Sequence, residues 1–527
     1  MRKLKFKMNV VFRVDSSVKI GIGHLMRCLT LAQALKENGV DVEFICRKHE
    51  GNLIGRIRSS GFNAHELEVL EKIEVDNKLA HSRWLGATQQ QDADSCIDIL
   101  KAREVDWLIV DHYALDEQWH KKLKLYYKKL MVIDDLADRK LQCDILLDQT
   151  FSRQKDDYSA LIPEGCKLLL GSQYALLRPE FSKWREYSLE RRSKLKFKQL
   201  FINMGGVDVD NITGQVIDEL KICDLPNDIN IIIVMGGSAP HLESIKSKVN
   251  ALPYRVEVKV DVDNMAEIMA NSDMAIGAAG ATTWERCCLG LATIQIVIAE
   301  NQLFSAKILK QYNAVQLVTR INEIRQLLEN TDEWLKDTGV IASDICDGTG
   351  VYKVANQMSD YTIILDKFGE IELHNYVNLS TDDKALVLDM RNHPQVKKWM
   401  HNQDNISNTT HFKFLESLES NLDRRYFLVK QKNNIIGSIN FSEINLYNSV
   451  EFGIYTNPFL QLKGAGRMLE SAASQYAFIE LGVKKIKLEV YSDNERAVYF
   501  YNKCGFELIE IKKVNHQNIM CMEKMKV

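Results

Sequence analysis

Proline, paired cysteines and metal-binding motifs are scarce in this 527-residue sequence. Its 7 prolines leave no proline-rich linker, and its 11 cysteines include no Cys-x-x-Cys pair. No group of histidine, cysteine and carboxylate residues has the spacing of a zinc site, so we expect no metal. An odd number of scattered cysteines is typical of reduced thiols in a cytoplasmic protein and excludes a dense disulfide framework.

Long hydrophobic runs and an excess of one charge are also missing. The net charge of −3 gives no reason to expect nucleic acid or an acidic membrane as a partner. The apolar run at residues 8–14 is interrupted by Asn9 and Arg13, so we expect neither a signal peptide nor a membrane span. What remains is an ordinary globular composition, 46% hydrophobic and 26% charged, long enough for about three compact units.

Alternating strand and helix patterns fill residues 1–180 and again residues 181–355. The pattern predicts parallel sheets covered by helices on both faces, as in two Rossmann-like halves that bind ligands at the carboxyl ends of their strands. A segment rich in arginine, lysine and glutamate, residues 182–198, is predicted to be a solvated helix joining the halves. The predicted strands are 9–14, 42–46, 107–111, 131–133 and 145–147 in the first half, and 200–204, 229–235, 255–260, 274–278 and 294–298 in the second.

The last part of the sequence has a different order of elements. After a polar linker at residues 356–369, three consecutive strands at 425–430, 435–441 and 450–455 predict an antiparallel meander. A helix at 465–481, a strand at 485–491 and a helix at 494–504 follow. Residues 370–527 are therefore predicted to form a separate α+β domain.

The turn after the first strand carries the strongest local signal for chemistry. Gly21 and Gly23 precede a helix that opens at His24. Unpaired N–H groups at a helix start favour an anion, and the helix dipole keeps a histidine there neutral and available as a base. The turn predicts chemistry on a phosphate ester or a sugar nucleotide.

Over residues 8–350 the motifs resemble those of the UDP-sugar hydrolases of pseudaminic acid biosynthesis, the PseG type. The shared motifs are Arg13-x-Asp15-x-Ser17-x-x-Ile20-Gly21-x-Gly23-His24-x-x-Arg27, Asp111-x-Tyr113, Gly205-Gly206-x-Asp208, Gly277-Ala-Ala-Gly280-Ala-Thr282-Thr283-Trp284-Glu285 and Asn301-Gln302. The resemblance implies a GT-B-like fold that holds UDP in its second half. It also implies hydrolysis of a UDP-linked 2,4-diacetamido-2,4,6-trideoxy sugar, with His24 as the general base.

The same resemblance assigns the binding residues. Backbone and hydroxyl groups from Gly280 to Thr283 are expected to hold the diphosphate, and Glu285 the ribose. The further substrate-binding candidates are Arg13, Asp15, Gly21, Gly23, Tyr113, Asn301 and Gln302. For several of these a structural role remains open: Tyr113 as packing, Asn301 as a helix cap and Glu285 as a surface residue.

The final domain resembles the GNAT acetyltransferases and, within them, the PseH type that acetylates a UDP-linked 4-amino sugar. The resemblance rests on Gln461-Leu-Lys463-Gly464-Ala465-Gly466, on Asn494-x-x-Ala497-x-x-Phe500-Tyr501, and on Met390-Arg391-Asn392 with Trp399. It implies acetyl-CoA as co-substrate, held by the glycine turn and Asn494. Tyr501 is the expected general acid, with packing on a strand as its alternative; Glu443 and Glu451 are both available as base.

Three other functions fit the same residues. The first alternative is that the two halves form a true GT-B glycosyltransferase that uses a UDP-sugar donor, since fold does not fix function. The chemistry is equally compatible with a related pathway, for legionaminic acid or a spore-coat sugar. The third alternative is that one unit has lost activity and only binds a nucleotide sugar, although His24 and the intact Gly464–Gly466 turn argue against it.

Overall fold

The computed structural model describes residues 8–70, 79–194, 196–421, 423–446, 448–514 and 517–526. These residues form two compact units. One comprises residues 9–32 and 42–351, and the other comprises residues 8, 33–41 and 352–526. No helix in the described ranges is long and apolar enough to cross a bilayer.

The first unit contains two sheets of parallel strands. Strand order in the first sheet is β3-β2-β1-β4-β5-β6-β7, with the crossover between β1 and β4 that creates a ligand-binding crevice in doubly wound folds. Its strands are β1 (Asn9–Val14), β2 (Asp41–Arg47), β3 (Asn63–Leu67), β4 (Trp107–Asp111), β5 (Lys129–Ile133), β6 (Ile145–Asp148) and β7 (Lys167–Leu170). Its helices are α1 (Gly23–Glu37), α2 (Ile54–Ser59), α3 (Gln89–Leu100) and α4 (Glu117–Lys122).

The second sheet repeats this plan with the order β10-β9-β8-β11-β12-β13. A switch point again lies between its first strand, β8, and β11. The strands are β8 (Gln199–Asn203), β9 (Asn230–Met235), β10 (Arg255–Val260), β11 (Met274–Ala278), β12 (Thr293–Ile296) and β13 (Gln316–Val318). The helices are α5 (Pro179–Ser193), α6 (Ile212–Leu220), α7 (Leu242–Lys248), α8 (Met265–Ala270), α9 (Thr282–Cys288), α10 (Leu303–Gln311), α11 (Glu323–Glu329), α12 (Thr331–Ile345) and α13 (Gly350–Gln357).

Helix α5 corrects the expectation of a solvated connector at residues 182–198. The helix packs against the second half, and Phe181, Ser188 and Arg192 are buried. Arg185 donates hydrogen bonds to the carbonyl oxygens of Cys288, Cys346 and Ser343. The charge pattern misleads because long arginine stems cover apolar surface while their guanidinium groups find backbone acceptors.

The second unit is built on one mixed sheet of eight strands, β14-β15-β16-β17-β18-β19-β21-β20. Its strands are β14 (Tyr361–Leu365), β15 (Gly369–Asn375), β16 (Arg425–Gln431), β17 (Asn434–Asn445), β18 (Ser449–Thr456), β19 (Lys485–Tyr491), β20 (Glu507–Val514) and β21 (Gln517–Met525). The helices are α14 (Thr381–Asn392), α15 (Pro394–Lys397), α16 (Asn408–Leu418), α17 (Ala465–Gln475) and α18 (Glu495–Lys503).

The segment predicted to be a linker, residues 356–369, contains strand β14. Ile363 and Leu365 alternate with exposed residues and enter the core of the mixed sheet. Five residues whose side chains alternate between buried and exposed are enough for an edge strand here, because the turn that ends at Gly369 lets β14 pair with β15.

Candidate active sites

His24 stands where strand β1 passes into helix α1. Between them Gly21 adopts a φ of +81°, and its N–H donates to the Ser17 carbonyl oxygen at 2.9 Å. An added Cβ at Gly21 would meet nothing within 4 Å, so the backbone conformation and not lack of space requires glycine. The turn starts α1 at Gly23 and sets His24 in its first turn, 9% exposed.

Asp111, the last residue of β4, sets the tautomer of this histidine in its neutral form. Its Oδ1 lies 2.6 Å from Nδ1 of His24. Because an ionised carboxylate only accepts hydrogen bonds, His24 donates through Nδ1–H and keeps the lone pair on Nε2. That tautomer is the one a general base requires.

Arg27, one turn after His24, keeps Asp111 ionised. Its Nε and Nη2 donate to the two carboxylate oxygens of Asp111, each at 2.7 Å. Burial would raise the pKa of Asp111, but the guanidinium and His24 outweigh it and hold that pKa well below its ordinary value. Sequence reasoning did not assign Asp111 or Arg27 a role, although both belong to quoted motifs.

Aromatic rings surround the histidine. Tyr113 packs edge-on against His24, with ring centroids 4.6 Å apart, and donates its hydroxyl hydrogen to Asp135. Trp84 stacks on Tyr113 at 5.7 Å, and His81 lies 4.4 Å from Trp84. These rings form an apolar wall beside a base, an arrangement suited to one face of a sugar.

Arg13 and Asp15 lie inside the first half. Arg13 is 0% exposed and donates to Asp15 at 2.6 Å and to Asp92 at 2.6 and 3.2 Å. Asp15 Oδ1 also accepts the Arg47 backbone N–H at 2.6 Å. Of the two, Asp15 alone has a buried atom outside this hydrogen-bond network, its Oδ2, which lies 3.2 Å from Nε2 of His112 and 3.6 Å from Nε2 of His49. The structure thus gives Arg13 a framework of ion pairs and no open face toward a ligand.

The buried side chain of Arg286 lies under the turn that follows β11 and holds this turn in place by hydrogen bonds. This residue is 1% exposed, and it donates to the Ala278 carbonyl oxygen at 2.7 Å and to the hydroxyls of Thr282 and Thr283 at 3.0 and 3.2 Å. Gln295 Nε2 donates to the same Thr283 hydroxyl at 2.8 Å. Sequence reasoning placed the two threonines at the turn but missed the arginine beneath them.

Glu285 lies partly buried beside this turn, with 17% of its side chain exposed. Burial raises its pKa to about 7, although Arg178 at 3.9 Å and Arg286 oppose that shift. Near neutral pH the carboxyl is therefore poised between its two forms. A ligand that donates hydrogen bonds to it would favour the ionised form.

Gln302 and Asn301 follow on the next loop. Gln302 accepts the Ile298 backbone N–H at 3.1 Å, and an added Cβ at Gly280 would lie 3.6 Å from its Nε2. Gln302 thus joins the two loops at the carboxyl edge of the second sheet. Asn301 is exposed, and the N-cap position of helix α10 is occupied by Gln302, which forms no side-chain capping hydrogen bond.

Loops at the carboxyl ends of the two sheets face each other within the first unit. An added Cβ at Gly206, after β8, would lie 3.2 Å from Cδ1 of Ile22, in the turn before His24. Phe151 packs edge-on against Tyr312 at 5.0 Å, and this contact also joins the halves. The His24 cluster and the Arg286 turn therefore belong to opposing edges, as expected for ligands at topological switch points.

In the second unit, Gly464 turns the chain into helix α17 with a φ of +88°. No side chain caps this helix start, and Gln461, Lys463 and Gly464 are exposed, whereas Ala465 is buried. An added Cβ at Gly466 would lie 3.7 Å from the Phe500 ring. The turn thus presents N–H groups outward beside helix α18.

Strands β18 and β19 separate beside this turn. They pair in parallel only from Ser449 with Lys485 to Glu451 with Lys487, although β18 continues to Thr456 and β19 to Tyr491. The separation leaves a wedge in the middle of the sheet. An extended thioester carrier fits such a wedge because backbone groups at its edges are available for pairing.

Tyr501, Asn494 and Glu451 lie around these elements. Tyr501 is 8% exposed, and burial holds the pKa of its hydroxyl well above the ordinary value, so it stays protonated. Asn494 caps helix α18 by accepting the Ala497 N–H at 3.3 Å. Burial, then Glu443 and Glu489, raise the pKa of Glu451 at the point where the strands part.

Among the described residues, no group of three or more histidine, cysteine, aspartate or glutamate side chains is arranged to hold a metal ion.

The Glycosyltransferase family 28 C-terminal domain matches residues 200–344, and the Acetyltransferase (GNAT) family matches residues 390–506. The class is thus a GT-B-like nucleotide-sugar protein of two parallel α/β sheets followed by a mixed-sheet GNAT domain.

Two curated relatives each match one part of the chain. The UDP-2,4-diacetamido-2,4,6-trideoxy-β-L-altropyranose hydrolase of Campylobacter jejuni is 31% identical over 296 residues, 56% of this chain and 93% of the relative. Acetyltransferase PseH of C. jejuni is 35% identical over 143 residues, 27% of this chain and 88% of the relative. A crystal structure of PseH with acetyl coenzyme A covers 30% of this chain and 99% of its own, at 28% identity and a TM-score of 0.25.

An uncharacterised protein of Methanocaldococcus jannaschii spans both parts, at 24% identity over 95% of this chain and 97% of its own length. The chain belongs to the family of the C. jejuni hydrolase in its first part and to the GNAT acetyltransferases, with PseH, in its last part.

Proposed function

We propose that the chain performs two consecutive reactions on one nucleotide sugar. Its GNAT domain acetylates the 4-amino group of UDP-4-amino-4,6-dideoxy-N-acetyl-β-L-altrosamine with acetyl-CoA. Its hydrolase part then cleaves the product, UDP-2,4-diacetamido-2,4,6-trideoxy-β-L-altropyranose, to UDP and the free sugar. The two relatives support this pairing, because one is named as an acetyltransferase and the substrate named for the other carries two acetamido groups, the product of N-acetylation.

The His24–Asp111–Arg27 cluster carries the hydrolytic assignment. In the proposed step, water attacks C1 of the sugar and gives a proton to Nε2 of His24. The C1–O bond breaks, and its electron pair leaves with UDP. Asp111, 2.6 Å from Nδ1, stabilises the imidazolium that forms.

A glycosyltransferase would need an acceptor in place of this water. The family 28 domain matches only the second half, whereas similarity to the hydrolase extends over 296 residues. That longer match, which covers 93% of the hydrolase, favours hydrolysis over transfer.

For acetyl transfer, we assign the base to Glu451 and the acid to Tyr501. The amine gives a proton to Glu451 and attacks the thioester carbon; the C–S bond breaks, and the thiolate takes the Tyr501 proton. Support for Glu451 is its place at the mouth of the wedge and its raised pKa. Support for Tyr501 is its buried, protonated hydroxyl.

The first test incubates the intact chain with acetyl-CoA and the UDP-4-amino sugar, and follows both products by proton NMR. We expect acetylation and then UDP release without any acceptor. The His24→Asn variant should accumulate acetylated UDP-sugar, with UDP release slowed about 10²- to 10⁴-fold and UDP affinity retained. Hydrolysis at the normal rate in this variant would remove His24 from the mechanism.

The second test uses Glu451→Gln, expected to slow acetylation about 10²-fold while pre-acetylated substrate is still hydrolysed. Glu489→Gln serves as the matched variant. It removes a neighbouring negative charge that raises the pKa of Glu451, so the acid limb of kcat/KM for acetylation should move to lower pH. An unchanged acid limb in Glu489→Gln would argue that another group is the base.

A further inference from the structure

The guanidinium of Arg286 is a buried cation that no carboxylate contacts within ion-pair distance, and Glu285 acts on it only at longer range. In the described part of the chain it forms no ion pair, and its Nε has no hydrogen-bond partner. The carboxylate of the neighbouring residue, Glu285, pairs with Arg178 instead, with 3.9 Å between its Oε1 and Nη2 of Arg178. A buried charge that lacks a counter-charge is unfavourable unless something supplies one.

The sequence makes room for this arginine under the turn. An added Cβ at Gly277 would lie 2.6 Å from Nη1 of Arg286, and 3.2 Å from the Asn203 carbonyl oxygen. Glycine at 277 therefore leaves space for the guanidinium beside the end of β11. Every acceptor it finds, Ala278, Thr282 and Thr283, belongs to the turn above it.

Those bonds fix the direction of the threonine hydroxyls. Thr283 Oγ1 accepts from both Arg286 and Gln295, which fills its two lone pairs and anchors the turn. Thr282 is only partly buried, and its oxygen accepts from Nη1 at 3.0 Å. With Arg286 donating from beneath, the Thr282 hydroxyl hydrogen is left to donate outward.

We propose that Arg286 is a positioning residue for a diphosphate: it orients the Thr282 hydroxyl as a donor and supplies from below the positive charge that balances the anion above the turn. This inference rests on the proposed UDP-sugar function for the identity of the ligand. Arg286 does not touch the ligand; it acts through the turn.

Another buried arginine of the same half provides the matched control. Arg192 is 7% exposed and donates to the carbonyl oxygens of Ser188, Met269, Ser272 and Leu289. It too lacks a carboxylate in the described residues, but four carbonyl dipoles surround it and none of them belongs to the 278–283 turn. Its loss should leave ligand binding alone.

The experiment is calorimetric titration of the full chain with UDP, uridine and inorganic diphosphate. Arg286→Met should weaken UDP binding about 10- to 100-fold, the range for lost charge-assisted hydrogen bonds, and leave uridine binding unchanged. Arg286→Lys, which keeps the charge, should restore part of the affinity, and Thr282→Val should lose about tenfold. Arg192→Met should bind UDP as the parent chain does.

A thermal readout separates positioning from plain structural support. Since replacing an unpaired buried cation by an apolar side chain is often neutral or stabilising, ligand-free Arg286→Met should melt no lower than the parent, while its UDP-induced shift shrinks. Wild-type UDP affinity in Arg286→Met would overturn the inference, and so would a parallel loss of UDP and uridine binding with a lower Tm. Arg286-dependent binding of diphosphate without any preference for UDP would uphold it and count against the nucleotide-sugar function alone.

Discussion

In the first Rossmann-like half Arg13, Arg27 and Arg47 each reach an aspartate, whereas in the second half Arg192 and Arg286 donate to carbonyl and hydroxyl oxygens. Both halves have the same α/β plan, so the fold does not impose this difference. The first half neutralises its buried cations internally and so builds a rigid frame for a base. The second keeps positive charge beneath a turn, where an anionic ligand can balance it.

Asp111→Asn should have the largest effect on this difference between the halves, because it removes one of the aspartates that neutralise the first half. The amide offers His24 a donor where the wild type offers an acceptor, and it leaves Arg27 without its counter-charge. We expect turnover of the UDP-sugar to fall about 10²- to 10⁴-fold and the free energy of unfolding to fall by about 3–5 kcal/mol. Steady-state kinetics and urea unfolding measure the two effects.

Arg286→Met is the counterpart, since it should leave ligand-free stability intact. Equal losses of stability in Asp111→Asn and Arg286→Met would show that the two halves do not differ in the way described.

Asp92→Asn tests the frame away from His24. Asp92 accepts from Arg13, Arg47 and the Trp119 indole N–H. Burial alone would raise its pKa, but Arg13 and Arg47 hold that pKa below the ordinary value. Its stabilising contribution is therefore complete above about pH 4, its unfolded pKa, and is lost as pH falls through the folded pKa.

The variant should lose about 3 kcal/mol at pH 7, with KM unchanged, and its stability should depend less on pH in acid than the parent's. Hydrogen exchange of peptides from β1 and α3, read between pH 3 and 5, reports this locally. Parent and variant with parallel acid profiles would contradict the role given to Asp92.

Glu285→Gln tests a carboxyl of the second half whose pKa is raised, whereas the pKa of Asp92 in the first half is lowered. The two carboxyls should therefore affect stability with opposite dependence on pH. The folded pKa of about 7 lies above the unfolded value near 4.5. Ionisation of Glu285 thus destabilises the folded state. This destabilisation is absent below about pH 4.5, grows as the pH rises, and is complete above about pH 7. Glutamine should raise the free energy of unfolding by about 1–3 kcal/mol at pH 8 and leave it unchanged at pH 4.

Urea unfolding of parent and variant at the two pH values measures this smallest effect, and UDP affinity should fall in the variant because a ribose acceptor is weakened. A variant equally stabilised at both pH values would locate the cause outside this carboxyl.

The sequence by itself predicted the alternating α/β plan of the two halves and the turns after β1 and β11, but it did not predict strands β3, β7 and β13. Strand–turn–helix spacing predicted β1, β4, β8 and β11 because continuous apolar runs between glycines have few other solutions. The same reasoning failed at helix α5 and strand β14, where tertiary partners, backbone carbonyls and a neighbouring strand overrode local polarity.

Local pattern determined that His24, Gly280 and Gly464 begin helices or turns, because such starts depend on a few neighbouring residues. Only the tertiary structure decided what each polar side chain does. It brings Asp111 into contact with His24, 87 positions away in the sequence, and pairs Arg13 with Asp15 inside the first half. It also places Arg286 where it donates to the Ala278 carbonyl oxygen under the turn. Charge balance is a property of all neighbours in space, and no run of consecutive residues contains that information.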